Sequence, residues 1–248
     1  MLAEIHGKIS SSGSNLTDRL EDNLTGMIFG SLRYLSFQSG IGKILAKGVN
    51  NEQICKELLK LTYDMWAENI TFWPYDKEGE IDVIIEFESV IIGIEVKYQS
   101  GLSSDDEVYN IKENTETNIS KNQLARESNI LKNKAPHKQK ILLFIADRTF
   151  CKAVCDIVME RNIIAEDVAL TYISWQDFLY QMKQLTISDS FQRVAVQDMI
   201  QLLSKKGFDD FNTMSIGDAP TINAVDYFSF NQQKKTHFKL LLKRITGD

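Results

Sequence analysis

The sequence predicts an α/β protein, with a central mixed β-sheet flanked by helices and a mostly helical C-terminal extension. Three observations predict it. From Glu80 to Gly101 the chain reads EIDVIIEFESVIIGIEVKYQSG, an alternation of period two rich in β-branched residues, which is the signature of a strand pair. Further on, KILLFIAD and ALTYISW are each followed by a helical pattern, and such alternation suits strands covered by helices and partly parallel. Elsewhere apolar residues recur at helical spacing.

The elements follow in order. Residues 1–15 end in SSSGSN and read as a flexible N-terminus or a cap. Asn15 or Thr17 can cap a helix over 16–35, in which Leu20, Leu24, Met27, Ile28 and Leu32 form a stripe with Glu21 beside it. SGIGKILAKG is not a phosphate loop, because its spacing is wrong and no Ser or Thr follows Lys43. Asn50 and Asn51 offer a cap for a helix over 52–68, and Thr71 to Trp73 a first strand before Pro74. After the hairpin a long polar segment, SSDDEVYNIKENTETNISKN, is either a substrate-covering loop or a solvated insertion. A helix then carries Leu124, Ile130 and Leu131. A buried strand over 141–146, a helix over 151–161, the ALTYISW strand and a helix over 175–185 complete a core of residues 16–185. Residues 186–248 form the extension packed on it, with an amphipathic helix over 191–205 that stops near Gly207.

Composition sets bounds on function. With 43% hydrophobic and 25% charged residues the chain is ordinary globular, and 248 residues can bury a sizeable core. The net charge of −6 excludes a protein that coats nucleic acid non-specifically. Any nucleic-acid enzyme here must rely on a local basic patch, a metal or a partner. MLAEIHGKIS lacks a basic n-region and an apolar h-region, and the longest apolar runs are too short to span a bilayer, so a cytoplasmic protein is expected. Cys151, Cys155 and His137 lack the ligand count of a structural zinc site, and the two thiols read as buried helical cysteines.

The chemistry concentrates in the hairpin. Side chains alternate faces along a strand, so Glu95 and Lys97 share one face while Val96 and Tyr98 take the other. A turn at Glu88–Ser89 sets Asp82 directly across from Glu95. Two carboxylates about 5 Å apart repel by roughly 3 kcal/mol at an effective dielectric of about 20. A proton, a pairing with Lys97 or a bound cation relieves that repulsion. Two hard oxygen donors suit Mg²⁺, with Mn²⁺ substituting, and Lys97 then faces the same water or phosphate. The alternative is a solvated outer face of an antiparallel sheet.

Asp82, a gap, then Glu95, Val96 and Lys97 resemble the PD-(D/E)xK nuclease superfamily, the restriction-endonuclease-like enzymes. Ile81 stands where that family's name-giving proline would be. The resemblance covers residues 16–185 and implies that Asp82, Glu95 and the Val96 carbonyl hold a metal while Lys97 positions or activates water. LEDNLTGMIFGSLRYL resembles the family's first helix, which makes Glu21 a further metal candidate; its plain alternative is an acid favoured by the helix dipole. SKNQLARE resembles the helix after the ExK strand, so Gln123 would contact substrate phosphate or metal-bound water. Alternatively, Ser120 to Gln123 form a capping box. Arg126 is a phosphate contact one turn on, or simply an exposed arginine. In the basic tail NQQKKTHFKLLLKR, Lys234 and Lys235 are candidate nucleic-acid contacts, or one face of a solvated helix.

The expectation is therefore a Mg²⁺-dependent phosphodiesterase, an endonuclease acting on nucleic acid, with DNA favoured over RNA. A homodimer or an activating partner subunit, and a role in defence against foreign nucleic acid, follow from the resemblance alone. Lys97 is expected to work as a charged positioner. Service as a general base would need its pKa lowered about three units, costing about 4 kcal/mol, and neighbouring carboxylates push the other way. The competing expectation is a catalytically silent nuclease fold that serves as a binding or assembly subunit.

Overall fold

The computed structural model describes residues 16–61, 66–106 and 120–210, with side chains from Glu21 onward. Three helices come first: α1 (Leu16–Leu32), α2 (Ile41–Gly48) and α3 (Glu52–Lys60). Next come β1 (Ile70–Phe72), the short hairpin β2 (Tyr75–Asp76) and β3 (Gly79–Glu80), then β4 (Val83–Glu86) and β5 (Val90–Val96). The second half alternates α4 (Gln123–Lys134), β6 (Gln139–Ala146), α5 (Arg148–Glu160), β7 (Val168–Ser174), α6 (Trp175–Lys183) and α7 (Ser190–Lys205). No described helix is long and apolar enough to cross a membrane.

The centre is a five-stranded mixed sheet in the order β1-β4-β5-β6-β7. β1, β4 and β5 pair antiparallel, while β5, β6 and β7 run parallel. The parallel half follows from the connections, since joining parallel neighbours requires a crossover, and α4 and α5 supply two of them. β5 lies in the middle of the sheet and all seven of its residues are buried. A strand covered on both faces reads as a near-continuous apolar run, and VIIGIEV does so until its single charge.

Two apolar clusters cover the two faces. Val83, Ile85, Ile92, Ile94 and Val96 meet Leu24, Ile28, Phe29, Ile44, Trp175 and Phe178 in the larger one, which α1, α2, α3, α6 and α7 all enter. Ile84, Ile91, Leu142 and Phe144 meet Leu124, Leu131, Cys151 and Cys155 of α4 and α5 in the other. The face that carries Asp82, Glu95 and Lys97 is therefore covered, and a solvated outer face is excluded. Ile81 joins this second cluster rather than the first, beside Ile84.

Several sequence-based boundaries shift. The first helix stops at Leu32, and Met27 is exposed while Phe29 is fully buried in its stripe. The helix expected over 52–68 is capped by Asn51 but ends at Lys60, because Leu61 turns extended; residues 66–68 form a separate 3-10 turn. At α4 no capping box forms. Asn122 is the cap, its side chain accepting the Leu124 and Ala125 N–H groups. Ser120 instead donates to Asp106, which releases Gln123 for other work.

Candidate active site

The hairpin has the register that a turn at Glu88–Ser89 predicts. Val83 faces Ile94, Ile84 faces Gly93 and Glu86 faces Ile91, which carries Asp82 to the place across from Glu95. Asp82 Oδ2 accepts the Val96 N–H at 2.9 Å. Glu95 and Val96 also pair with Phe144 and Ile145 of β6, so the site lies at the carboxyl ends of the parallel strands. Open α/β sheets bind ligands at those ends. Lys97 follows directly and is pinned on both sides of its backbone. Its N–H donates to the Ile145 carbonyl at 2.7 Å, and its carbonyl accepts from the Trp175 indole at 3.0 Å.

Side chains from three elements converge on this point. Lys97 Nζ stands 2.7 Å from Glu95 Oε1 and 3.0 Å from Glu21 Oε1, with all three side chains buried. Glu21 Oε2 accepts the Tyr98 N–H at 2.9 Å and the Ser100 hydroxyl at 2.5 Å. Glu21 is thus no exposed first-turn acid; it ties α1 to the backbone that follows Lys97. Gln123 donates its amide to Glu95 Oε1 at 2.6 Å and accepts the Ser103 N–H at 2.9 Å.

Sequence reasoning missed Glu127, which is 1% exposed and abuts Glu95 and Gln123. The available signal was spacing, since Gln123, Glu127 and Leu131 recur every four residues and share one face of α4. Gly93 explains why that face comes so close. A Cβ there would lie 2.9 Å from Leu131 Cδ1, so only glycine lets α4 settle onto β5 at this depth. Ser100 and Trp175, which fix Glu21 and Lys97, were missed as well.

The charge balance is lopsided. Among the described residues, four buried carboxyl groups, of Glu21, Asp82, Glu95 and Glu127, share the single ammonium of Lys97 within this cluster. Burial raises the pKa of Asp82 well above the ordinary carboxyl value, and Glu95 adds to the rise. Glu95 is raised by burial against the opposing pull of Lys97. Glu127 is raised well above the ordinary value by burial and by Glu95. Burial alone would lower Lys97, but Glu95, Glu21 and Asp82 outweigh it and hold the amine above its usual range. Lys97 therefore stays charged at neutral pH.

The donor set fits a hard divalent cation. Carboxylate oxygens from Asp82 and Glu95, with the Val96 carbonyl beside them, supply oxygen ligands where acid exceeds base. Among the described residues no three His, Cys, Asp or Glu side chains already surround one point. Lys97, bridging Glu21 and Glu95, draws two of the carboxylates to itself. A cavity of about 330 Å³ lined by Lys97, Tyr98, Ser100, Ala146, Asp147 and Phe150 opens beside the lysine. A larger one, about 610 Å³ between α5 and β7, holds none of the converging groups.

Other candidates fall elsewhere. Arg126 directs its guanidinium to the Glu78 carbonyl and the Ser104 hydroxyl, which holds the β2–β3 hairpin against α4. Lys234 and Lys235 lie outside the described residues, as do residues 107–119 of the polar segment. Its two stems are clasped together: Arg161 pairs with Asp105 and Asp106, which in turn bind Asn122, Ser120 and Lys121. That clasp adjoins Gln123 at the edge of the site. No protein-family model, curated protein or solved structure matches the chain.

Proposed function

We propose that the chain is a metal-dependent nuclease of the PD-(D/E)xK type, built on a restriction-endonuclease-like core, that hydrolyses phosphodiester bonds in nucleic acid, preferring DNA to RNA. One observation carries this: Asp82, immediately before β4, accepts the Val96 N–H at the end of β5, between Glu95 and Lys97, and all three side chains are buried together with more acid than base. A protein that needed only stability would gain nothing by gathering under-neutralised acids at the ligand-binding end of its sheet.

Asp82, Glu95 and the Val96 carbonyl would hold Mg²⁺ or Mn²⁺, with Glu21 adjoining through Lys97. The chemistry supplied by the bound ion is charge stabilisation at the scissile phosphate and activation of water. Lys97, held charged by three carboxylates, donates hydrogen bonds to water or phosphate and stabilises charge as it develops, rather than removing a proton. Gln123 fixes the orientation of Glu95. Glu21 anchors Tyr98 and Ser100, and so the wall of the cavity beside Lys97.

The test is cleavage of linear, plasmid and single-stranded DNA and of RNA, with Mg²⁺, Mn²⁺ or EDTA, for wild type beside Asp82→Ala and Glu95→Ala. Metal-dependent cutting that both variants lose is the expected result. Cutting that survives in EDTA or in either variant overturns the proposal. A second reading, a silent nuclease fold that binds rather than cuts, draws on the Lys97 bridge, which gives Glu21 and Glu95 a counter-charge of the protein's own. Mn²⁺ that fails to raise the melting temperature would favour it.

A further inference from the structure

The side chain that the proposed mechanism leaves unused is Glu127. Its carboxyl is buried at 1% exposure beside Glu95 and Gln123, yet among the described residues no donor meets either Oε1 or Oε2 in good hydrogen-bond geometry. Leaving a buried polar group unmatched costs about 1–3 kcal/mol, more for a charge, so native proteins rarely tolerate it without a use. The neighbour deepens the puzzle. On Glu95 both Lys97 and Gln123 donate to the same oxygen, Oε1, and the Glu127 carboxyl lies against the same side chain. Two adjoining acids thus meet in the interior, and the two oxygens of Glu127 are left without a well-placed donor. α4 creates this meeting deliberately in the geometric sense: Gly93 allows the close approach, and the four-residue repeat aims Gln123 and Glu127 at the same strand end.

We propose that Glu127 is a direct ligand of a divalent cation, taken up together with Glu95 on the side of that residue facing α4. The inference rests on the metal reading of the site and adds a ligand from an element outside the hairpin. Hard oxygens of adjacent carboxylates are the donors that Mg²⁺ and Mn²⁺ accept, and a cation would supply the positive partner that the Glu127 oxygens lack. Lys97 does not fill the role, because its ammonium contacts Glu95 Oε1 and Glu21 Oε1 and no contact between it and the Glu127 carboxyl is seen.

Glu127→Gln separates a ligand from a mere positioning residue. The amide keeps the shape and retains an N–H to donate to Glu95, as a protonated acid would, but loses the anionic oxygens. Mn²⁺ alone is titrated into the full-length protein by calorimetry, with free Mn²⁺ counted by electron paramagnetic resonance, for wild type, E127Q and D82N. The expected result is that E127Q loses one equivalent of Mn²⁺ or binds at least tenfold more weakly, while melting no lower than wild type in EDTA. Mn²⁺ binding by E127Q equal to that of wild type overturns the inference and leaves the hairpin site standing, provided D82N binds more weakly. Failure of wild type itself to bind Mn²⁺ overturns the metal reading as a whole. A clear fall in the metal-free melting temperature of E127Q also counts against the ligand role, since it shows the carboxyl to be serving the fold.

Discussion

Two lysines are buried at the sheet, Lys97 and Lys140, and their surroundings differ instructively. Lys140, 3% exposed, meets one carboxylate, Asp167, at 2.8 Å, and donates to the Lys138 and Pro136 carbonyls at 2.9 and 3.4 Å. Its partner is half in solvent and shares it with no other acid among the described groups. Lys97 stands among Glu21, Asp82, Glu95 and, through Glu95, Glu127. The first arrangement balances charge with charge and satisfies donors with main-chain oxygens. The second leaves carboxylates in surplus where water is scarce. A buried ion pair is weak evidence for anything beyond architecture, whereas an uncompensated cluster needs a proton or a cation.

The comparison can be broken in four ways, beginning with the largest effect. Asp82→Ala or Glu95→Ala should lower metal-dependent cleavage at least about a thousandfold while the protein stays folded, measured as initial rates beside circular dichroism. Retention of even a tenth of the activity would separate the acid surplus from the chemistry. Lys97→Ala should lose about a hundredfold or more and Lys97→Arg far less, because a charged donor suffices. Equal losses in both would mean that the lysine acts through its own proton or shape.

The third contrast is stability. Lys140→Met should lower the melting temperature by a few degrees, through the orphaned carbonyls, and leave the cleavage rate per folded molecule unchanged. A change in rate would erase the distinction between the two lysines.

The smallest effect is also the most diagnostic, because the two regions carry opposite pH dependences. Asp82, Glu95 and Glu127 have folded-state pKa values above their unfolded ones, so in that window the native state holds more protons than the unfolded state. Metal-free stability should then fall as pH rises from about 4 toward the raised values. Asp167 is lowered by its hydrogen bond to Lys140. Its contribution is present above the ordinary carboxyl range and fades as pH falls through the folded value. Denaturant melts between pH 4 and 8 should show D82N and E127Q flattening the fall with rising pH, whereas D167N acts only at the acid end. A wild-type curve flat across this range, with unchanged slopes in D82N and E127Q, would contradict the acid surplus.

The hairpin was readable because its information is local. Alternation fixes faces, turn position fixes register, and together they bring Asp82 opposite Glu95 with Lys97 following. The strand–helix alternation likewise gives β6, α5, β7 and α6 in order. Helix ends were harder. Lys60 ends α3 where apolar spacing alone runs on to residue 68, because a terminus depends on the backbone turning at Leu61. The cap of α4 went to Asn122 because Ser120 had a tertiary partner in Asp106 that local pattern does not reveal.

What the sequence by itself determined, then, is the α/β class, the hairpin register and the facing of Asp82, Glu95 and Lys97, all consequences of period and turn within a few residues. Only the tertiary structure decided the rest. It set the parallel order β5-β6-β7, buried both faces of the sheet, and brought Glu21 from 76 residues before Lys97 into contact with it. It also decided between the two readings of Gln123, which bonds to Glu95 while Asn122 caps the helix, and added Glu127. The physical reason is that charge surplus is a property of volume: no stretch of this chain is unusually acidic around Glu127, and the excess exists only once Gly93 lets α4 close over the ends of the strands.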